Sequence, residues 1–261
     1  MKHRRGGSDD GGSGPCDVRD IHGEVTERLP RIARGTDHGI DSVVRTVDEG
    51  VMIAKVVQDN IAVSITELRA LAERAAASGP HIAHRVDRSL VSLLSAQRLV
   101  GEMVDLACLE AARLVLRREP TELSGLVTET VDHCVIPAQR RSVQIDSRHS
   151  TRCRVDRERV ARVIGSFLQA AVTYGYPSSP IVIRIEEMNH RASVSMANVG
   201  PGMTTTQARA IFEKRQTLPT RGNGIGLFVS RKIVEAHGGA VEIDTIPSVG
   251  TTFAFRLPVM A

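Results

Sequence analysis

Gly222-Asn223-Gly224-Ile225-Gly226-Leu227 opens a segment whose apolar residues Val229, Ile233 and Val234 recur at helical spacing. Three glycines at alternate positions let backbone N–H groups approach an anion, and the N-terminus of the helix that follows favours negative charge. Taken alone the run also fits a tight turn. It is not the dinucleotide fingerprint, because no parallel βαβ unit surrounds it. Its weight comes from its neighbours. Asn198-Val199-Gly200-Pro201-Gly202-Met203 follows a strand upstream, and Ile211-Phe212-Glu213-Lys214 lies between the two glycine turns. Ser248-Val249-Gly250-Thr251-Thr252-Phe253 precedes the last strand.

Around these turns the pattern predicts helices over 123–138 and 156–174, and a strand at 143–146. Strands at 181–185 and 192–197 alternate as an antiparallel pair joined near Asn189-His190. A short helix at 208–213 and a longer one at 227–236 precede closing strands at 240–245 and 251–257. Mostly antiparallel strands with helices on one face make an α+β sandwich.

Toward the N-terminus the period is helical throughout. Val51, Ala54, Val57, Ile61, Ile65 and Leu68 form one stripe, which ends at Ser78-Gly79-Pro80. A second helix carries Val86, Leu90, Leu93, Gln97, Val100, Val104, Ala107, Ala111 and Leu114, with Leu94, Leu99, Met103, Leu106 and Leu109 alongside. A lone hairpin cannot cover two stripes. Self-association into a four-helix bundle covers them, as does packing by the C-terminal domain, and the dimer is the expected solution. The expected divisions are a disordered tail at 1–20, a short helix or linker at 21–44, a dimerisation hairpin at 45–118 and the sandwich domain at 119–261.

Composition excludes several functions. With no Trp, two Tyr and five Phe, the chain lacks stacking platforms for single-stranded nucleic acid. The net charge of +4 is dispersed; the one basic cluster, Lys2 to Arg5, is short and is taken as a solvated tail. Cys16, Cys108, Cys134 and Cys153 show no C-x-x-C spacing, which suits a reducing compartment. No apolar run reaches the roughly 18 residues of a membrane span, and the polar N-terminus does not suit a secretory signal. A cytoplasmic protein without a nucleic-acid partner is expected.

The four motifs in this order resemble the ATP-binding domain of sensor histidine kinases, within the wider group of gyrase-type and Hsp90-type ATPases. The segment Asp105-Leu106-Ala107-Cys108-Leu109-Glu110-Ala111 is similar to the end of that family's dimerisation helix, D-L-L-x-L-S-x-L-E-A. Glu119-Pro120-Thr121-Glu122-Leu123 resembles the entry to its catalytic domain. The resemblance implies a dimeric helical bundle followed by a histidine-kinase/Hsp90-type sandwich. It also implies a nucleotide, ATP or ADP, at Asn198, Gly200, Gly202, Lys214, Gly222, Gly224, Gly226, Leu227 and Thr251.

The departures from the family matter as much. Gln58 stands at the start of Gln58-Asp59-Asn60-Ile61-Ala62-Val63-Ser64, where the family has its phosphate-accepting His. A carboxamide has no nucleophilic nitrogen lone pair and cannot carry phosphoryl. In Ser166-Phe167-Leu168-Gln169-Ala170-Ala171-Val172-Thr173-Tyr174, Ala170 takes the place of the Mg²⁺-ligating Asn and Thr173 that of a phosphate-contacting Lys. A methyl group offers a hard cation nothing, so nucleotide is expected to bind weakly and Mg²⁺ not through the usual ligand. Ser166, Gln169 and Thr173 are the alternative oxygens, and Asn198 replaces the adenine-reading Asp. His81 and His84 are taken as helix-start polar residues, and His237 as a cation suited to a helix C-terminus. The expected function is two-component signalling by a catalytically impaired homodimer that docks a response regulator or a partner kinase. An authentic divergent kinase, a phosphotransfer protein and an anti-sigma-type switch are the rivals.

Overall fold

The computed structural model describes residues 36–75, 80–135, 142–147, 150–177, 179–213 and 225–260. The expected tail at 1–20 lies outside the described residues. Met1–Glu49 and Gly50–Ala261 are separate compact units.

Helix α1 spans Thr36–Ala75 and α2 spans Pro80–Glu110. The first therefore starts inside the segment assigned to a linker at 21–44, and the second stops short of 118. Pro80 at the first helical position suits α2, because its missing N–H would be unpaired there anyway. Between the two helices Ile65 and Leu90 are buried, with Ile61, Leu68, Leu93 and Leu94 packed around them. The other apolar side chains of the hairpin have different fates. Leu106 and Leu109 at the end of α2 pack against the core of the C-terminal domain. Met52, Ile53, Val56, Val63 and Leu71 on α1, with Ile82, Val91 and Met103 on α2, stay exposed in the single chain.

The domain begins with β1 (Glu119–Glu122) and α3 (Leu123–Cys134), then β2 (Val143–Ser147), β3 (Arg152–Val155) and α4 (Arg157–Tyr174). Strands β4 (Ile181–Met188) and β5 (Arg191–Val199) follow, then α5 (Thr205–Ala210), α6 (Ile225–Ala236), β6 (Ala240–Ile246) and β7 (Gly250–Pro258). The main sheet runs β2-β4-β5-β7-β6, and β1 pairs with β3 in a separate ribbon. Pairings are antiparallel except β2 with β4, which is parallel. The sheet is mixed, and its one parallel edge was not foreseen.

Local chemistry explains the starts and turns. Glu122 caps α3 by accepting from the N–H groups of Ser124 and Gly125. Asp156 caps α4 through the Arg159 N–H, and Thr204 with Gln207 forms a capping box on α5. Asn189 and His190 both have positive φ, 52° and 57°, the two-residue type I′ turn that matches strand twist. Alternation along β5 sends Ala192, Val194, Met196 and Asn198 inward.

The core is mainly aliphatic, and four of the five Phe gather in one place within it. Phe167 of α4 lies 6.0 Å from Phe212, 6.4 Å from Phe253 and 5.6 Å from Phe255, ring centroid to centroid. The last pair meets edge-on at 84°, the arrangement favoured by ring quadrupoles. Phe167→Ala should therefore cost about 3–5 kcal/mol in urea unfolding, whereas Val172→Ala on the exposed side of α4 should stay within about 0.5 kcal/mol beyond helix propensity.

Candidate functional site

Helix α4, the turn after β5 and the start of β7 converge on Asn198. This side chain is buried, and both ends of its amide are used. Nδ2 donates to the Ala171 carbonyl at 2.7 Å, and Oδ1 accepts from the Thr251 N–H at 2.9 Å. The Ala171 carbonyl is among those that a helix leaves unpaired in its last turn. One donor and one acceptor are needed, so the orientation of the amide is fixed by its partners. A carboxylate would meet the Ala171 carbonyl with a second acceptor. One Nδ2 hydrogen and one Oδ1 lone pair remain for a ligand.

The glycines around Asn198 are explained by close backbone contacts. A Cβ on Gly200 would lie 2.4 Å from the Tyr174 carbonyl oxygen at the end of α4. Gly202, at φ +68°, lies against the Ile246 carbonyl, where a Cβ would come within 2.4 Å. Thr251 is buried too, its hydroxyl 3.0 Å from that of Thr245, which also accepts from the Met203 N–H. Leu227 belongs to the domain core. Lys214, Gly222 and Gly224 lie outside the described residues.

On α4, Ala170 is buried and presents a methyl group at its position. Two of the three alternative oxygens, the hydroxyls, are already engaged. Thr173 Oγ1 accepts from Gln169 Nε2 at 3.1 Å, and Ser166 Oγ donates to Glu102 Oε1 at 3.2 Å. This donor set does not fit a magnesium ion that needs several free oxygens. Gln58 is half-buried on α1, with its Nε2 beside Gly101 of α2. His81 and His84 are exposed at the start of α2.

A buried charged seam joins α2 to α4, and the sequence reading did not find it. Asp105 is fully buried and pairs with Arg159 and with Arg162, the latter at 2.9 Å. Burial pushes its carboxyl above the usual range, against the pull of Arg162 and Arg159. Glu102 is also buried and accepts from Arg98 at 2.6 Å. The available signal was Arg159 and Arg162, three apart on α4, facing acids spaced three apart on α2. Arg69 of α1 adds bonds to the Asp132 and His133 carbonyls at the end of α3.

His237 corrects an expectation. It is buried, its Nε2 accepts from the Asp156 N–H at 2.9 Å, and its Nδ1 lies 2.8 Å from the Ile233 carbonyl. This pairing requires a neutral ring with the proton on Nδ1, so His237 is no dipole-stabilised cation. A cleft of about 560 Å³ lies elsewhere, between α5, α6 and β6, lined by Arg209, Phe212, Arg231 and Val241 among others. Among the described residues, none of the nucleotide positions named above lines it.

This arrangement of fold and turns has known counterparts. Residues 155–261 match the family described as histidine kinase-, DNA gyrase B-, and HSP90-like ATPase. Over this domain and beyond it, the chain is similar to sensor histidine kinases. It is 28% identical over 171 residues to the circadian input-output histidine kinase CikA of Synechococcus elongatus, covering 61% of this chain and 23% of that protein. It is 31% identical over 193 residues to the sensor histidine kinase ZraS of Klebsiella oxytoca, covering 72% of this chain and 40% of that one. The chain thus spans less than half the length of these relatives. Among solved structures, the nucleotide-free catalytic domain of the histidine kinase ThkA superposes with a TM-score of 0.50 at 26% identity, covering 54% of this chain and 95% of that one. Full-length ShkA in complex with AMPPNP shares the fold, with a TM-score of 0.53 at 21% identity over 80% of this chain and 46% of that one.

The neutral His237 gives the fold a pH dependence. Burial, with Arg118 and Arg159 nearby, holds its pKa below the ordinary 6.5, although Asp156 opposes this. The unfolded chain then binds the proton more readily than the fold, so this contribution is complete above about pH 6.5 and is lost as pH falls through the lowered folded value. The stability advantage of wild type over His237→Gln in urea should shrink between about pH 7.5 and about pH 5.5. A constant difference across that range contradicts the assignment.

Proposed function

We propose that the chain is a catalytically silent histidine-kinase-like signalling component that works through association. It acts as a homodimer in the cytoplasm and docks a response regulator or a partner kinase, with ATP or ADP held weakly and without a metal requirement. One observation carries this reading. The positions where the family resemblance puts acceptor, metal ligand and phosphate cation hold Gln58, Ala170 and Thr173, and the nearby oxygens of Ser166 and Thr173 are already hydrogen-bonded. Phosphoryl transfer depends on charge neutralisation by metal and cation, so the losses at 170 and 173 fall on one step.

Homodimerisation is supported by the hairpin surface. Met52, Val56 and Val63 recur along one side of α1 and remain exposed, as a bundle seam requires. Leu90 is fully buried within the single hairpin, so it reports on hairpin folding. The discriminating change is Val56→Asp with Val63→Asp. It should convert a dimer seen by light scattering into a folded monomer, and a monomeric wild type at micromolar concentration contradicts the proposal.

Wild type incubated with labelled ATP should form no acid-labile phosphohistidine. The combined change Gln58→His, Ala170→Asn, Thr173→Lys and Asn198→Asp is the informative comparison, because groups that act as a unit are non-additive. Phosphohistidine in the combined variant alone supports the assignment of positions. Its appearance in wild type overturns the reading and makes His81 and His84 the first residues to map.

A further inference from the structure

Glu102 is placed where a side chain of the hairpin would not be expected. It lies on α2 but is only 2% exposed, enclosed by α4 and α6. Its Oε1 accepts from Ser166 Oγ at 3.2 Å and from Arg98 at 2.6 Å. Among the described residues its Oε2 has no partner. The carboxylate lies on Gly226, the second residue of α6: a Cβ there would be 2.4 Å from Oε1, 2.9 Å from Cδ and 3.2 Å from Oε2. A buried carboxylate with one unpartnered oxygen is costly, and packing alone does not call for it. Among the described residues, the compensating feature apart from Arg98 and Ser166 is the positive end of α6, whose first N–H groups have no helical partners.

We propose that Glu102 is an internal anion, paired with Arg98 of its own helix, that fills an oxyanion seat formed by Ser166 and the N-terminus of α6. The diphosphate of a nucleotide takes that seat only when α2 withdraws. This rests on the reading that the domain keeps a nucleotide pocket, and it makes that pocket's phosphate end conditional on the hairpin. Docked α2 and bound diphosphate exclude one another, since the Glu102 carboxylate occupies the space at the N-terminus of α6 and would repel a second anion there. Asp105, one turn further along α2, anchors the docked state through Arg159 and Arg162. Nucleotide would therefore loosen the α2 seam, and whatever holds the seam closed would reject nucleotide.

The test uses the full chain and two probes, inorganic pyrophosphate and ADP, both without metal. Glu102→Ala and the isosteric Glu102→Gln are compared with wild type and with Asp87→Asn, which removes one acid from the far end of the same helix. Both Glu102 variants should bind pyrophosphate and ADP about tenfold more tightly than wild type, and Asp87→Asn should not. In wild type, saturating pyrophosphate should speed hydrogen exchange across residues 98–106. If the variants gain affinity for pyrophosphate while ADP binds no better than pyrophosphate, the seat stands and the nucleotide reading fails. If ADP binds wild type and both folded variants equally, the seat is overturned and the nucleotide reading survives. Weaker binding, or no pyrophosphate binding by any form, also overturns the seat and leaves Glu102 as a structural anchor.

Discussion

The fold's candidate site hangs on a single amide. Asn198 joins the last turn of α4 to the first residues of β7 by giving a hydrogen to the Ala171 carbonyl and taking one from the Thr251 N–H. An uncharged group with one donor and one acceptor matches one buried carbonyl and one buried N–H. Around it the backbones close in: Gly200 on the end of α4, Gly250 on the Asn198 carbonyl and Gly202 on the β6–β7 turn. Position 198 therefore contributes first to architecture, and whatever it offers a base is the residue of that commitment.

This changes what the retained glycines mean. Their presence beside lost catalytic groups suggested a preserved pocket. The structure shows that each of the three near Asn198 is required by a backbone contact that leaves no room for a Cβ. Gly226 is likewise constrained, but by a carboxylate delivered from the hairpin. The glycine turns of this domain can persist for reasons of packing, whether or not a phosphate is ever bound.

Much of the fold was legible in the sequence, because its longer elements carry strong periodicity. The hairpin helices, α4, α6 and the β4–β5 pair with its Asn189-His190 turn all follow from apolar spacing and turn chemistry. Strand β1, Glu-Pro-Thr-Glu, was missed because nothing in four largely polar residues signals pairing; its partner β3 supplies the register. The parallel pairing of β2 with β4 depends on the path of the intervening chain and has no local signature. The helix that carries Ala170 and Thr173 was readable from its spacing, whereas the Glu102 and Asp105 contacts were not. Two acids on a long helix ordinarily face solvent, and only the docking of α2 against three arginines of α4 and its own turn reveals them as buried.

On the proposed reading the site does not bind phosphate through a metal: Ala170 supplies no oxygen, and the hydroxyls of Ser166 and Thr173 are already paired. Calorimetric titration of the wild-type chain with ATP, in magnesium and then in EDTA, tests this most directly. The account predicts weak binding with nearly the same affinity in both. A tight complex in magnesium that collapses when EDTA is added would contradict it.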